Sequence, residues 1–168
     1  MTMTIKPSGI VIKLNSLQDK DIILAMYEAS KAGVPIKLIV RGICCIRPGR
    51  KGLSENVMVR SIVGEYLEHS RIFYFHNGGD PKVYCGSADM MVRSFDRRLE
   101  SLFILNDELL KRQAINILAF NLKDNINAYE MKEDGTYFHL EPNGEPPFDV
   151  HQEFYQINRE QVLKAALF

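Results

Sequence analysis

Apolar and polar positions along the chain change period several times, and each change marks an element. "SGIVIKLN" (Ser8 to Asn15) is a β-branched run after a Pro-Ser turn, which predicts a strand. Asp19 stands at the N-cap position of "KDIILAMYEASKAG", whose apolar residues recur at helical spacing until Gly33. "VPIKLIVR" (Val34 to Arg41) predicts a second strand. Strand, helix, strand over some thirty residues predicts a parallel crossover, and ligands of such sheets sit at the carboxyl ends of the strands. Arg41 falls at such an end.

"GICCIRPGRKGLSENV" reads as a loop. Ser54 or Glu55 is then expected to start a helix through "NVMVRSIVGEYLEH". "RIFYFHN" (Arg71 to Asn77) and "KVYCGS" predict a hairpin across "GGDP", and Leu99–Leu105 a further strand. Asp107 caps an expected helix, "ELLKRQAINILAFNLKDN". A hairpin is predicted around Asp134-Gly135, and a helix over "HQEFYQINREQVLKAALF". The pattern predicts an α/β fold: a mixed β-sheet flanked by helices.

Length and composition narrow the class. The 168 residues suit one domain with a real core, and no apolar run approaches the length of a membrane helix. The N-terminus lacks the apolar stretch of a signal peptide. Cys44, Cys45 and Cys85 are odd in number and form no disulfide framework, so a cytoplasmic location is expected, with membrane association left open. Zero net charge conceals an asymmetry: residues 41–98 carry ten bases and six acids, residues 99–168 six bases and twelve acids. Most bases of the middle stretch are arginines, and Arg93, Arg97 and Arg98 fall within six residues. Arginine suits bidentate binding of phosphate, and guanidinium groups so close together imply an anion between them. For Arg97 the solvated-surface reading is kept. There is no Gly-rich phosphate loop, dinucleotide fingerprint, zinc-ligand spacing or nucleophile elbow.

One ordered set remains: Arg41, then His69-Ser70-Arg71, then Gly86-Ser87-Ala88-Asp89, then Arg93-Ser94 and Glu100. This pattern resembles a half-site of the phospholipase D superfamily. It departs from it in having Arg71 for the lysine, no following aspartate (His76 stands near its place) and Asp89 for the asparagine. Those departures are similar to the polyphosphate kinases. "IVIKLNSLQDKDII", "GVPIKLIVRGICCIRPG", "GLSENVMVRSIVGEYLEHSRIFYF" and "GDPKVYCGSADMMVRSFDRRLE" together resemble the last domain of that family, from about Gly9 to Leu105 and more loosely to about Glu130.

The resemblance implies a phospholipase D-like C-terminal domain over residues 1–130, with residues 131–168 a C-terminal extension (hairpin and helix) packed on it. It implies reversible transfer of the terminal phosphate of ATP to polyphosphate, with this domain on the nucleotide and phosphate side of the site. Arg41 and Arg98 match family arginines at the nucleotide phosphates. His69 matches an essential histidine opposite the phosphorylated one, as catalytic group and phosphate contact. Arg71 and Arg93 are phosphate-binding candidates by motif position, and the Gly86-Ser87 backbone is expected to offer N–H groups to the same oxygens. The phosphorylated histidine belongs to the preceding domain of that family, and nothing here corresponds to it. The expectation is therefore an excised or truncated terminal domain, inactive alone. Mg²⁺ is implied for the full-length enzyme, with ligands outside this chain and no metal site within it. The implied partners are ATP or ADP, polyphosphate, the remaining domains of the enzyme and, for the full-length enzyme, further copies of itself; nucleic acid is not among them. Two alternatives stay open: a phospholipase D-type phosphodiesterase half-site, and a polyanion-binding module without catalysis.

Overall fold

The structure, a computed structural model, describes residues 7–154 and 167–168. Its framework is one eight-stranded mixed sheet. The strands are β1 (Ile10–Leu14), β2 (Ile36–Val40), β3 (Val57–Ile62), β4 (Ile72–Phe75), β5 (Lys82–Gly86), β6 (Leu102–Ile104), β7 (Ala128–Met131) and β8 (Tyr137–His139), in the spatial order β6-β5-β4-β1-β2-β3-β7-β8. β1, β2 and β3 run parallel, and every other neighbouring pair is antiparallel.

The helices are α1 (Lys20–Lys31), α2 (Val92–Asp96), α3 (Glu108–Lys123) and α4 (Val150–Glu153). Asp19 and Asp107 cap α1 and α3 as predicted, accepting from the N–H groups of Ile22 and Leu110. α1 and α3 cover opposite faces of the sheet. Ile12, Leu14, Leu38, Val40, Val59 and Phe73 pack with Ile23 and Met26 of α1. Val11, Ile39, Ile72, Tyr74 and Val83 pack with Ala114 and Leu118 of α3. Alternate residues of β1 thus feed both layers, as the two-residue period of a strand requires. Each fully buried Leu or Ile contributes about 1.5–3 kcal/mol, and the central strands hold most of them.

The helix expected from Ser54 is instead β3 followed by an irregular segment. Burial alternates strictly along Val57–Ile62, with Val57, Val59 and Ser61 inward. The β-branched Val57, Val59 and Ile62 favour this pleated surface over a helix. Ser54, which resembled an N-cap, is consumed inside the preceding loop: its hydroxyl donates to the Arg47 carbonyl at 2.6 Å and accepts from the Arg50 N–H at 3.1 Å. The strand expected over Leu99–Leu105 is shorter, because Leu99 projects fully into solvent and Ser101 is held by Ser87 across the turn.

The hairpin around Asp134-Gly135 is present as β7–β8, with Gly135 at φ +90°. β7 pairs with β3, so the hairpin extends the main sheet. Residues 155–166, most of the predicted terminal helix, lie outside the described residues.

Candidate active site

β1 and β2 are parallel, so their carboxyl ends lie side by side and deliver Asn15 and Arg41 to one edge of the sheet. β4 runs antiparallel to β1, with Ile72 opposite Lys13, so the residues that lead into β4 begin at that same edge. His69 and Arg71 are those residues. Topology alone therefore gathers Arg41, His69 and Arg71.

A continuous run of hydrogen bonds joins them. Arg41 Nε donates to Asn15 Oδ1 at 3.2 Å. The Asn15 N–H donates to Asp89 Oδ1 at 2.8 Å. Asp89 also accepts from Arg71 Nε at 3.3 Å and from Arg71 Nη2 at 3.2 Å, a two-pronged ion pair. Arg71 Nη1 then donates to the His69 carbonyl at 3.0 Å.

Asp89 is buried, and the Ser16 N–H is a fourth donor to it at 3.3 Å. It reaches the end of β1 because the chain after β5 docks there: Leu17 bridges Met90, and the N–H groups of Gln18 and Asp19 both donate to the Met90 carbonyl. Burial pushes the Asp89 carboxyl up, but the hydrogen bonds from Arg71 and the Asn15 N–H and the Arg71 charge more than offset it. The net shift is below the usual carboxylate range. Asp89 is thus an anion and makes Arg71 a committed, oriented cation.

Arg41 is half-buried and His69 exposed. Neither has a carboxylate partner among the described residues. Beside Arg41 a cleft of about 290 Å³ opens, walled by Gly42, Ser61, Val63, Tyr129 and Tyr137. Arg93 lies on α2 and Arg98 just beyond it; both are exposed, and no contact with described residues ties either to the Arg41–His69 run. The Gly86-Ser87 backbone does not offer free N–H groups. That of Gly86 points to the Arg71 carbonyl at 3.4 Å and that of Ser87 to the Ser101 carbonyl at 3.0 Å. The Ser87 hydroxyl donates to Glu100.

Two chemistries find no support in this region. Burial pushes the Cys44 thiol up to about 11, leaving it protonated and inert near neutral pH. No group of three His, Cys, Asp or Glu side chains is placed to hold a metal ion among the described residues, and Asp89 is already spent on Arg71.

Sequence reasoning missed Asn15 and the role of Asp89 as partner of Arg71. Asp89 stood out only as a departure from a motif; its link to Asn15 crosses 74 residues and has no local signature.

Comparison with known proteins decides the family. The model for "Polyphosphate kinase C-terminal domain 2" matches residues 2–151. The chain belongs to the polyphosphate kinase family. The polyphosphate kinase of Halalkalibacterium halodurans is 50% identical over 149 residues, which are 88% of this chain and 21% of that protein. The crystal structure of the Porphyromonas gingivalis polyphosphate kinase superposes with a TM-score of 0.88 at 39% identity, covering 95% of this chain and 24% of that one. The chain thus spans about a fifth to a quarter of the length of these relatives. Nuc from Salmonella typhimurium, a phospholipase D family member, matches with a TM-score of 0.54 at 18% identity over 74% of this chain and 82% of that one, which shows the shared fold. No helix among the described residues is long and apolar enough to cross a membrane.

Proposed function

We propose that this polyphosphate kinase domain binds the phosphate groups exchanged between ATP and polyphosphate. The carrying observation is the hydrogen-bonded run from Arg41 through Asn15, Asp89 and Arg71 to His69. Paired groups hold the frame of this run, while Arg41, beside an open cleft, and the exposed His69 ring have no carboxylate partner among the described residues.

Phosphoryl transfer is mostly positioning and charge stabilisation. Arg41 supplies a guanidinium to non-bridging oxygens of the nucleotide. The His69 ring contacts the transferred group or donates a proton to the leaving oxygen. Arg71 fixes the His69 backbone and adds its field. Arg93 and Arg98 extend the positive surface along which the polymer lies. The covalent phosphohistidine step and the Mg²⁺ ligands belong to other parts of a longer enzyme, so this chain binds without turning over. That enzyme works in the cytoplasm, as an oligomer.

Titration calorimetry with tripolyphosphate and with ADP on this chain tests the reading. Saturable binding, weakened by Arg41→Ala and by His69→Ala, is expected. Absence of binding, or hydrolysis of bis(p-nitrophenyl) phosphate in its place, would refute it.

A further inference from the structure

Between β3 and β4 the chain has no regular secondary structure, yet Gly64, Tyr66 and Glu68 within it all meet one side chain, the imidazole of His151. A Cβ on Gly64 would stand 2.6 Å from His151 Nδ1, so only glycine lets the backbone pass. The Tyr66 N–H donates to Nδ1 at 3.3 Å, and the Tyr66 ring meets the imidazole edge-on at 5.3 Å. Glu68 Oε1 lies 2.9 Å from Nε2. Because Nδ1 accepts, the hydrogen-bond partners assign the ring proton to Nε2, which donates to Glu68.

The other oxygen of Glu68 is taken as well. Lys13, on β1, reaches Oε2 at 3.0 Å with its side chain 7% exposed. His151 itself is 4% exposed. Its own place is fixed by Asp149, which accepts from the His151 N–H at 2.9 Å, and by Asp124, which accepts from the Val150 N–H at 2.8 Å. Glu68 is therefore gripped from two sides by groups on rigid elements.

The next residue is His69. Its carbonyl is held from the far side by Arg71. Lys13, Tyr66 and Glu68 also border one small internal space together with Arg41. The clamp thus borders Arg41 through that space and adjoins His69 along the chain.

We infer that His151 is a positioning residue. Acting through Glu68, it fixes the backbone from which His69 faces the phosphate site. The inference rests on the reading of His69 as a phosphate contact. Loss of the Nε2 donor leaves Glu68 tied only to Lys13, and the segment 64–69 loses the object it is folded around. A hydrogen bond to a charged acceptor is strong enough to set such a geometry.

Two variants of similar polarity separate this from packing. His151→Gln keeps an N–H long enough to reach Glu68; His151→Asn ends short of it. On the full chain, His151→Asn is expected to shift the His69 imidazole NMR resonances and to weaken tripolyphosphate binding about tenfold. His151→Gln is expected to leave both near wild type. A folded His151→Asn with unchanged His69 resonances, or two variants impaired alike, overturns the inference. Should His151→Asn fail to fold, Glu68→Ala gives the same readout, because it removes the acceptor through which His151 Nε2 reaches the His69 backbone. Unchanged His69 resonances there are equally fatal. If wild type binds no tripolyphosphate, the phosphate reading fails, while the His69 resonances still decide whether His151 positions that residue.

Discussion

Replacing Asp89 by Asn changes one atom type at the centre of the site, and its cost follows from four hydrogen bonds. Asp89 Oδ1 accepts from the Asn15 N–H at 2.8 Å and from the Ser16 N–H at 3.3 Å. An amide oxygen keeps both. The Arg71 pair cannot survive in the same form. The amide nitrogen then faces Arg71 Nη2, donor against donor, where the carboxylate accepted at 3.2 Å. Breaking a buried pair costs about 3–5 kcal/mol, and the Arg71 side chain, still 21% exposed, recovers part of that from water. The expected loss is about 2–3 kcal/mol at neutral pH, or about 5–10 °C in melting temperature for a chain of this size.

The same variant has a pH signature with a definite sign. The folded Asp89 carboxyl lies below its ordinary value of about 3.9, so near that value the unfolded chain binds more protons than the native one. The stability that Asp89 contributes is full above the unfolded value and is lost as pH falls through the folded one. Asparagine does not titrate. Urea melts of wild type and Asp89→Asn should therefore differ by a constant amount down to about pH 5 and converge below it. A neutral-pH difference under about 0.5 kcal/mol, or a gap that stays constant down to the most acid pH at which both still fold, would show that the Arg71–Asp89 pair does not carry this edge of the sheet.

Two further substitutions probe the groups on either side. Among the described residues the Arg41 side chain makes a single hydrogen bond, to Asn15, so Arg41→Ala should cost under about 1 kcal/mol in a urea melt yet reduce tripolyphosphate affinity at least about tenfold by calorimetry. Gly64→Ala drives a methyl to 2.6 Å from His151 Nδ1; because the imidazole is enclosed and cannot retreat, the expected loss is about 1–3 kcal/mol in the same melt.

The sequence announced those elements whose local signals agree. Asp19 and Asp107 looked like caps and are caps. Runs such as "IVIKL" and "IKLIV" are rich in β-branched residues and became central strands. β3 was misread because its valines fit either period over a short window, and the signal that tipped the reading, Ser54, serves a loop. The family resemblance named Arg41 and His69 as candidates, since it is attached to motifs. It was blind to what supports them. Asn15, Lys13 and His151 are bound to the site across 26 to 83 residues of chain, and a polar residue at such a distance has no local pattern to betray it.

The crowding of arginines in the sequence suggested that an external anion must hold them together. The structure divides the cations by a different criterion. Arg71 and Lys13 are matched to carboxylates and largely withdrawn from water, Arg71 with Asp89 and Lys13 with Glu68. Buried charges so matched are costly to separate, and an incoming phosphate would have to displace an acceptor that four donors already hold. These two cations therefore build the edge. Among the described residues the Arg41 side chain has only a neutral amide as partner, and the His69 ring, exposed, makes no hydrogen bond. A phosphate meeting Arg41 replaces water and one weak contact with a charge-assisted, bidentate one, which is the direction of gain. Because Asp89 and Glu68 are already paired, neither carboxylate is free to draw Arg41 inward. A site organised this way loses affinity when an unpaired cation is removed and loses shape when a paired one is. Arg41→Ala and Asp89→Asn are placed to tell those two losses apart.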